Sequence, residues 1–126
     1  MKFFIAIFLL VFALEGMAEE PRLQETEYKY VQQSIGKGKP YFLEVGSDSC
    51  YSCQVMGAAL FKIKQKRPEY NIHFINAQKE RKVARKLEIR MIPTQIIYDE
   101  SGKEAYRHIG ILSNEELAVL FKTHRF

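Results

Sequence analysis

Two cysteines are the residues best suited to do chemistry in this sequence. They are the only cysteines among 126 residues, and they lie three positions apart in Cys50-Tyr51-Ser52-Cys53. A pair with this spacing can be half of a metal site, a haem attachment point, a structural disulfide or a redox-active dithiol. Each use makes a different demand on the rest of the chain, so the four can be compared.

Neither a metal nor a haem fits the residues around this pair. A zinc site needs four ligands, and a single C-x-x-C supplies two. The other candidates, His73, His108 and His124, are scattered singly and repeat no ligand spacing. A c-type haem requires histidine directly after the second cysteine, where this chain has Gln54. We therefore expect no metal and no other cofactor.

A structural disulfide between these cysteines would stabilise the fold only slightly, because the loop it closes is short. Closing a loop of about four residues removes only about 2 kcal/mol of unfolded-state entropy, compared with about 4.7 kcal/mol for a loop of about 100 residues. A strand-like run precedes the pair and a helical pattern follows it. Cys50 should therefore lie at a helix N-terminus, where free N–H groups and the helix dipole favour a thiolate. We expect Cys50 to be the exposed nucleophile, and Cys53 to be buried and to resolve the mixed disulfide.

Glu44 is the one charged residue in the apolar run "YFLEVG", six positions before Cys50. In a central strand, burial of this carboxylate would be costly and would raise its pKa. Such a carboxyl group beside Cys53 can transfer a proton to and from that thiol. The alternative is an edge strand on which Glu44 faces water.

The rest of the sequence predicts the elements that hold these residues. In chain order they are a helix in "TEYKYVQQSIG", a strand in "YFLEVG", a helix over 55–63, a strand in "NIHFINA", a helix in "KVARKLE", a hairpin in "PTQIIYDESGKEAYRHIG" and a helix in "SNEELAVLFK". Ser113 and Glu116 form a predicted capping box at the start of the last helix. The alternation predicts an α/β fold, with helices on both faces of one sheet.

The N-terminus has the pattern of a signal peptide. Residues 1–18 contain one lysine, an uncharged apolar run over 3–14, and small residues Gly16 and Ala18 before the predicted cleavage point. The run is shorter than the roughly 20 residues that span a bilayer. We therefore expect residues 19–126 to form a single periplasmic domain, with an uncleaved N-terminal membrane anchor as the alternative.

The net charge of +4 does not indicate a nucleic-acid partner. The basic residues alternate with apolar residues at helical spacing, which is typical of solvated helix faces. An exported protein also rarely meets nucleic acid. We expect no nucleic acid among the partners.

Taken in order and spacing, these features resemble the thioredoxin family from about Tyr28 to Phe121. The features are the acidic residue six positions before the first cysteine, the C-x-x-C that opens a helix, the segment "LEIRMIPTQIIYDESGKE" and Gly110 before the last helix. The resemblance implies a thioredoxin fold, with a central mixed sheet of four or five strands flanked by helices on both faces. It also implies thiol–disulfide exchange through Cys50 and Cys53.

The resemblance also implies where substrates bind. The Ile92–Pro93 bond would be cis and would stand opposite the cysteines. There the Ile92 backbone would pair with an extended substrate segment as an added strand. Tyr51 and Ser52, between the cysteines, would complete the substrate-binding residues.

The chain also departs from the family pattern. Ser49 stands where tryptophan is usual, Tyr51-Ser52 replaces a common Gly-Pro pair, and Phe74 takes the position of a lysine that often accompanies the buried acid. Loss of that cation should leave Glu44 harder to ionise.

Ile92 before the proline resembles the reducing members of the family, so we expect a reductant. A disulfide-introducing oxidase and a binding module or chaperone without turnover are the alternatives.

The expected partners are exported proteins that contain disulfides, and a membrane electron donor. The donor is needed because the periplasm is oxidising. We expect the domain to be a monomer.

Overall fold

The computed structural model describes residues 20–126, so the predicted signal peptide lies outside the described residues. The elements are α1 (Tyr28–Ser34), β1 (Tyr41–Gly46), α2 (Tyr51–Lys66), β2 (Ile72–Asn76), α3 (Arg81–Lys86), β3 (Thr94–Tyr98), β4 (Glu104–Ile109) and α4 (Asn114–Thr123). This order is the one predicted from the sequence. Within residues 20–126, no helix has the length and apolar character needed to cross a membrane.

The four strands form one mixed sheet in the order β2-β1-β3-β4. Strand β1 runs parallel to β2 and antiparallel to β3, and β4 is antiparallel to β3. All six residues of β1 are buried. The apolar run "YFLEVG" is therefore a central strand covered on both faces, as predicted, and the edge-strand alternative is wrong.

Two hydrophobic clusters cover the two faces of the sheet. Alternate residues of β1 point to opposite faces, so Leu43 and Val45 belong to one cluster and Phe42 to the other. The first cluster includes Val31 of α1, and the second is formed with α2 and α4. Residues of α2 and α4 in the second cluster are Met56, Leu60, Leu117 and Phe121. This arrangement confirms the α/β architecture with helices on both faces.

The predicted capping box opens α4. The Ser113 hydroxyl accepts a hydrogen bond from the Glu116 backbone N–H at 3.1 Å, and the Glu116 carboxylate accepts one from the Ser113 N–H at 2.7 Å. Two N–H groups that the helix itself leaves unpaired are thereby satisfied. The cap fixes the start of the helix that covers the face of the sheet carrying Glu44.

Candidate active site

Cys50 is the N-cap residue of α2. Its backbone is extended, and its sulfur accepts a hydrogen bond from the Cys53 backbone N–H at 3.3 Å. The helix therefore begins at the first cysteine, and the second lies one turn later. Cys50 is half-buried, whereas only 6% of Cys53 is exposed, and both are thiols in the structure. The two cysteines thus differ in exposure in the direction expected from the sequence.

Cys53 packs directly against the end of β1. A Cβ atom added at Gly46 would lie 2.9 Å from the Cys53 sulfur and 3.2 Å from its Cβ atom. Burial, followed by a hydrogen bond with the Cys50 side chain, raises the pKa of the Cys53 thiol to about 12. Because the thiolate is the nucleophile, Cys53 needs a base in order to attack near neutral pH.

Gly46→Ala should displace Cys53, because the new methyl group and the sulfur cannot both keep their places. We expect a loss of roughly 1–3 kcal/mol in the free energy of unfolding, the usual cost of overpacking, together with slower disulfide exchange. Urea unfolding and a disulfide-reduction assay measure the two effects.

Gly57→Ala is the matched control for that variant. An added Cβ at Gly57 would lie 3.5 Å from its nearest neighbour, the Cβ atom of Arg22, which is an ordinary contact. This change in α2 should be neutral or should stabilise the helix by up to about 1 kcal/mol. Equal effects of the two substitutions would contradict the assignment of a specific clash with Cys53.

Glu44 is buried on the face of the sheet that α2 covers, with 1% of the residue exposed. Its two carboxylate oxygens accept hydrogen bonds from the Gln95 amide nitrogen at 3.2 and 3.3 Å. Burial raises the pKa of Glu44 well above its ordinary value, and the hydrogen bond from Gln95 opposes that shift in part. The carboxyl group is therefore difficult to ionise, as expected from the sequence.

Glu44 and its neighbours form a row of four residues, one on each strand of the sheet. Phe74 of β2 pairs with Glu44 on one side, Gln95 of β3 pairs with it on the other, and His108 of β4 pairs with Gln95. The strand neighbour on the β2 side is thus apolar, in agreement with the predicted place of Phe74. The polar contacts of the carboxyl group come from the β3 side.

Gln95 and His108 were not predicted as site residues from the sequence. Gln95 is fully buried, although it is an amide in the run "QIIY". The signal that singled out Glu44, a polar residue in an apolar strand, is therefore also present at Gln95. His108 carries no comparable signal, because its strand is only half-buried.

A cleft of about 290 Å³ leads from the surface to Glu44 and Cys53. Ser47 also lines it, and the Ser47 hydroxyl is buried without a hydrogen-bond partner in the described part of the chain. A cleft with this volume and these polar groups can hold water. Its remaining lining residues are Arg22, Leu23, Gln24, Glu25, Asp48, Gly57, Phe74 and Lys79. The cleft therefore has room for water beside Glu44 and Cys53.

The predicted substrate-binding residues lie at the same end of the sheet. The Ile92–Pro93 bond is cis. Val45 pairs with Thr94, so the register extended by one residue places Pro93 opposite Gly46, the residue on which Cys53 packs. Pro93 is buried and Ile92 half-buried.

The residues between the cysteines are open to solvent to different degrees. Tyr51 is 77% exposed, and Ser52 is half-buried. Three further large apolar side chains are also exposed, and they were not predicted as site residues: Met91, Ile109 and Ile111.

Comparison with known proteins places the chain in a family. The family model for a thioredoxin-like domain matches residues 28–125. Thioredoxin from Mycoplasmoides gallisepticum is 24% identical over 92 residues, which are 73% of this chain and 91% of that protein.

Solved structures show the same fold. Chloroplastic thioredoxin z is 15% identical with a TM-score of 0.73, covering 82% of this chain and 95% of its own. Fasciola hepatica thioredoxin is 18% identical with a TM-score of 0.65, and the match covers 77% of this chain and 89% of that one. Together with the family model, these matches show that the chain belongs to the thioredoxin-like family, and its Cys50–Cys53 pair supports a thiol–disulfide oxidoreductase in general terms.

Proposed function

We propose that the protein reduces disulfide bonds of exported proteins, with Cys50 as the nucleophile and Cys53 as the resolving cysteine. The observation that carries this proposal is the junction of β1 and α2. There a half-buried thiol at the helix N-terminus lies one turn before a buried thiol, and the buried thiol lines the same cleft as a buried carboxyl group.

The reaction proceeds in two exchanges. The Cys50 thiolate attacks one sulfur of the substrate disulfide, forms a mixed disulfide and releases the other substrate sulfur as a thiolate. Cys53 then loses its proton and attacks the Cys50 sulfur, which releases the second substrate thiolate. The substrate gains two electrons, both thiolates take up protons, and Cys50–Cys53 is left as a disulfide.

Glu44 transfers the proton in the second exchange. The Cys53 thiol has a pKa of about 12, raised mainly by burial. Without a base, only a very small fraction of Cys53 is therefore thiolate near neutral pH. The raised pKa of Glu44, which also comes from burial, makes its carboxylate a stronger base than an exposed glutamate. A base whose pKa lies closer to the working pH is more effective in proton transfer.

Substrates bind at the end of the sheet beside the cysteines. An extended segment pairs with the Ile92 backbone before Pro93, as an added strand. Tyr51 and Ser52 contact the substrate from the other side. The 77% exposure of Tyr51 supports this role, because a large aromatic side chain left open to solvent is suited to an interface.

The surroundings of Cys50 support a reductant. In this class of dithiols, strong oxidants owe their potential to a stabilised reduced form. Tyr51 and Ser52 carry no charge, and within residues 20–126 the hydrogen bond to the Cys50 sulfur comes from a backbone N–H of its own helix. A reductant in an oxidising periplasm needs a membrane electron donor to restore its dithiol.

We propose that the protein acts in the periplasm as a monomer, after its signal peptide has been cleaved near Ala18.

Turnover and redox state test this function together. The mature domain should catalyse insulin reduction by dithiothreitol, and its redox potential in glutathione buffers should be about −270 mV rather than about −120 mV. Acid trapping with a thiol-alkylating mass tag should find the protein in the periplasmic fraction. The protein should be reduced in cells that have the electron donor and oxidised in cells that lack the donor.

Two results would contradict the proposal. A protein that is oxidised both with and without the electron donor, and that has a redox potential of about −120 mV, would be a disulfide-introducing enzyme. A protein that binds partners but does not accelerate insulin reduction would be a binding module or chaperone.

A further inference from the structure

The Gln95 side chain has a defined orientation. Its amide nitrogen lies 3.0 Å from the Gly110 carbonyl oxygen and 3.2 and 3.3 Å from the two Glu44 oxygens. A backbone carbonyl oxygen can only accept hydrogen bonds, so the NH₂ group must face Gly110. The amide oxygen then faces His108 Nδ1 at 2.7 Å. Since that oxygen can only accept, His108 Nδ1 must carry a hydrogen.

This orientation determines which form of Glu44 is favoured. An amide N–H that points at the carboxyl group stabilises the carboxylate, because a hydrogen bond to the charged form favours that form. The inverted amide would place its oxygen against Glu44, and only a protonated carboxyl group could then donate to it. The Gly110 carbonyl and the His108 N–H both oppose this inversion.

We propose that Gln95 and His108 are positioning residues for Glu44: the Nδ1–H of His108 holds the Gln95 amide so that one N–H of its NH₂ group faces the carboxyl group and favours the carboxylate, while the other N–H faces the Gly110 carbonyl. The pair would take the place of a cation, since Glu44 has the apolar Phe74 as its β2 neighbour. This inference rests on the proposed role of Glu44 as the base for Cys53.

Other charged and titratable groups face this row, and their effects must be separated from the hydrogen bond. Around Glu44 these are Cys50, Cys53 and the cleft residues Arg22, Glu25, Asp48 and Lys79. Around His108 these are Tyr106, Glu115 and Glu116. Both glutamates are exposed, so solvent and salt screen their charges, whereas the buried hydrogen bond is screened much less.

His108→Leu and His108→Asn separate the hydrogen bond from packing and charge. Leucine fills the space but cannot donate, so the pKa of Glu44 should rise by about half a unit to one unit, the size expected for one lost hydrogen bond. Asparagine can place an N–H where Nδ1 stands, and it should restore the wild-type value. Gln95→Met, which removes the donor itself, should raise the pKa at least as far as His108→Leu.

Carbon NMR of the Glu44 carboxyl group across a pH series measures these values in the reduced protein without a substrate. The pH midpoint of the Cys53 attack on a mixed disulfide should move upward in parallel in His108→Leu. In a Glu44→Gln background, His108→Leu should cause no further change in that profile.

The inference is overturned if the Glu44 titration is the same in wild type, His108→Leu and Gln95→Met. It is also overturned if His108→Leu still changes the resolution profile after Glu44 has been replaced. Because the NMR titration needs no turnover, it separates this inference from the proposed function. A shifted titration in a protein that fails to reduce insulin would contradict only the function.

Discussion

Cys53→Ser should turn the protein into a trap that holds its substrate as a mixed disulfide through Cys50. The second exchange needs a thiol one helical turn after Cys50, and a serine hydroxyl cannot displace a sulfur under these conditions. Cys50→Ser should form no such complex, because the remaining thiol is 6% exposed and its pKa is raised to about 12 by burial. Turnover should fall to the uncatalysed rate in both variants.

Non-reducing gel electrophoresis and mass spectrometry with a disulfide-containing peptide measure the complex, and dithiothreitol should release it. The double variant is the matched control for non-covalent association. Iodoacetamide should label Cys50 first in the reduced wild type, as its greater exposure predicts. A stable complex formed by Cys50→Ser, or faster labelling of Cys53, would reverse the two roles.

The fold could be predicted from the sequence because its signals are local. The unbroken apolar run of "YFLEVG" indicates a strand buried on both faces, and Ser113 three residues before Glu116 indicates a helix start. Each signal depends on neighbouring residues in one element. The relations between strands are different, because the strand order is set by the packing of the whole chain.

This difference explains which site residues were missed. Cys50, Cys53 and Glu44 lie within ten residues, so their relation could be deduced from one strand and one helix. The contacts of Glu44 with Gln95, and of Gln95 with His108, join three strands at a particular register. Alternation along a strand predicts which face a residue occupies but not which residue lies beside it.

Glu44→Gln should stabilise the reduced protein at neutral and alkaline pH. The folded state holds the Glu44 proton more tightly than the unfolded chain does, because burial raises its pKa. The stability contributed by Glu44 is therefore fully present below the unfolded pKa of about 4.3. It is lost as the pH rises through the folded pKa, where a charge must be buried.

Urea unfolding between about pH 4 and pH 9 measures this effect. The advantage of the variant over wild type should grow toward the alkaline end by about 1.4 kcal/mol for each unit by which burial raises the pKa of Glu44. The difference should shrink toward pH 4. A difference that stays constant with pH would contradict the raised pKa of Glu44.

The same substitution should slow resolution of the mixed disulfide by about 100-fold near neutral pH, the lower end of the range for a general base. In wild type the rate should rise with pH through the folded pKa of Glu44 and then level off. In Glu44→Gln it should keep rising toward the Cys53 pKa of about 12, because the thiol must then ionise without a base in the protein.

Stopped-flow measurement of single-turnover release from the preformed mixed disulfide isolates this step from substrate capture. Glu25→Gln is the matched control, since Glu25 lines the same cleft but forms an ion pair with Lys79 at 2.6 Å. That variant should keep the wild-type profile. If Glu44→Gln slows capture by Cys50 as much as release, Glu44 acts on the first thiol as well. If it changes neither step, the Cys53 proton leaves through the water-accessible cleft without Glu44.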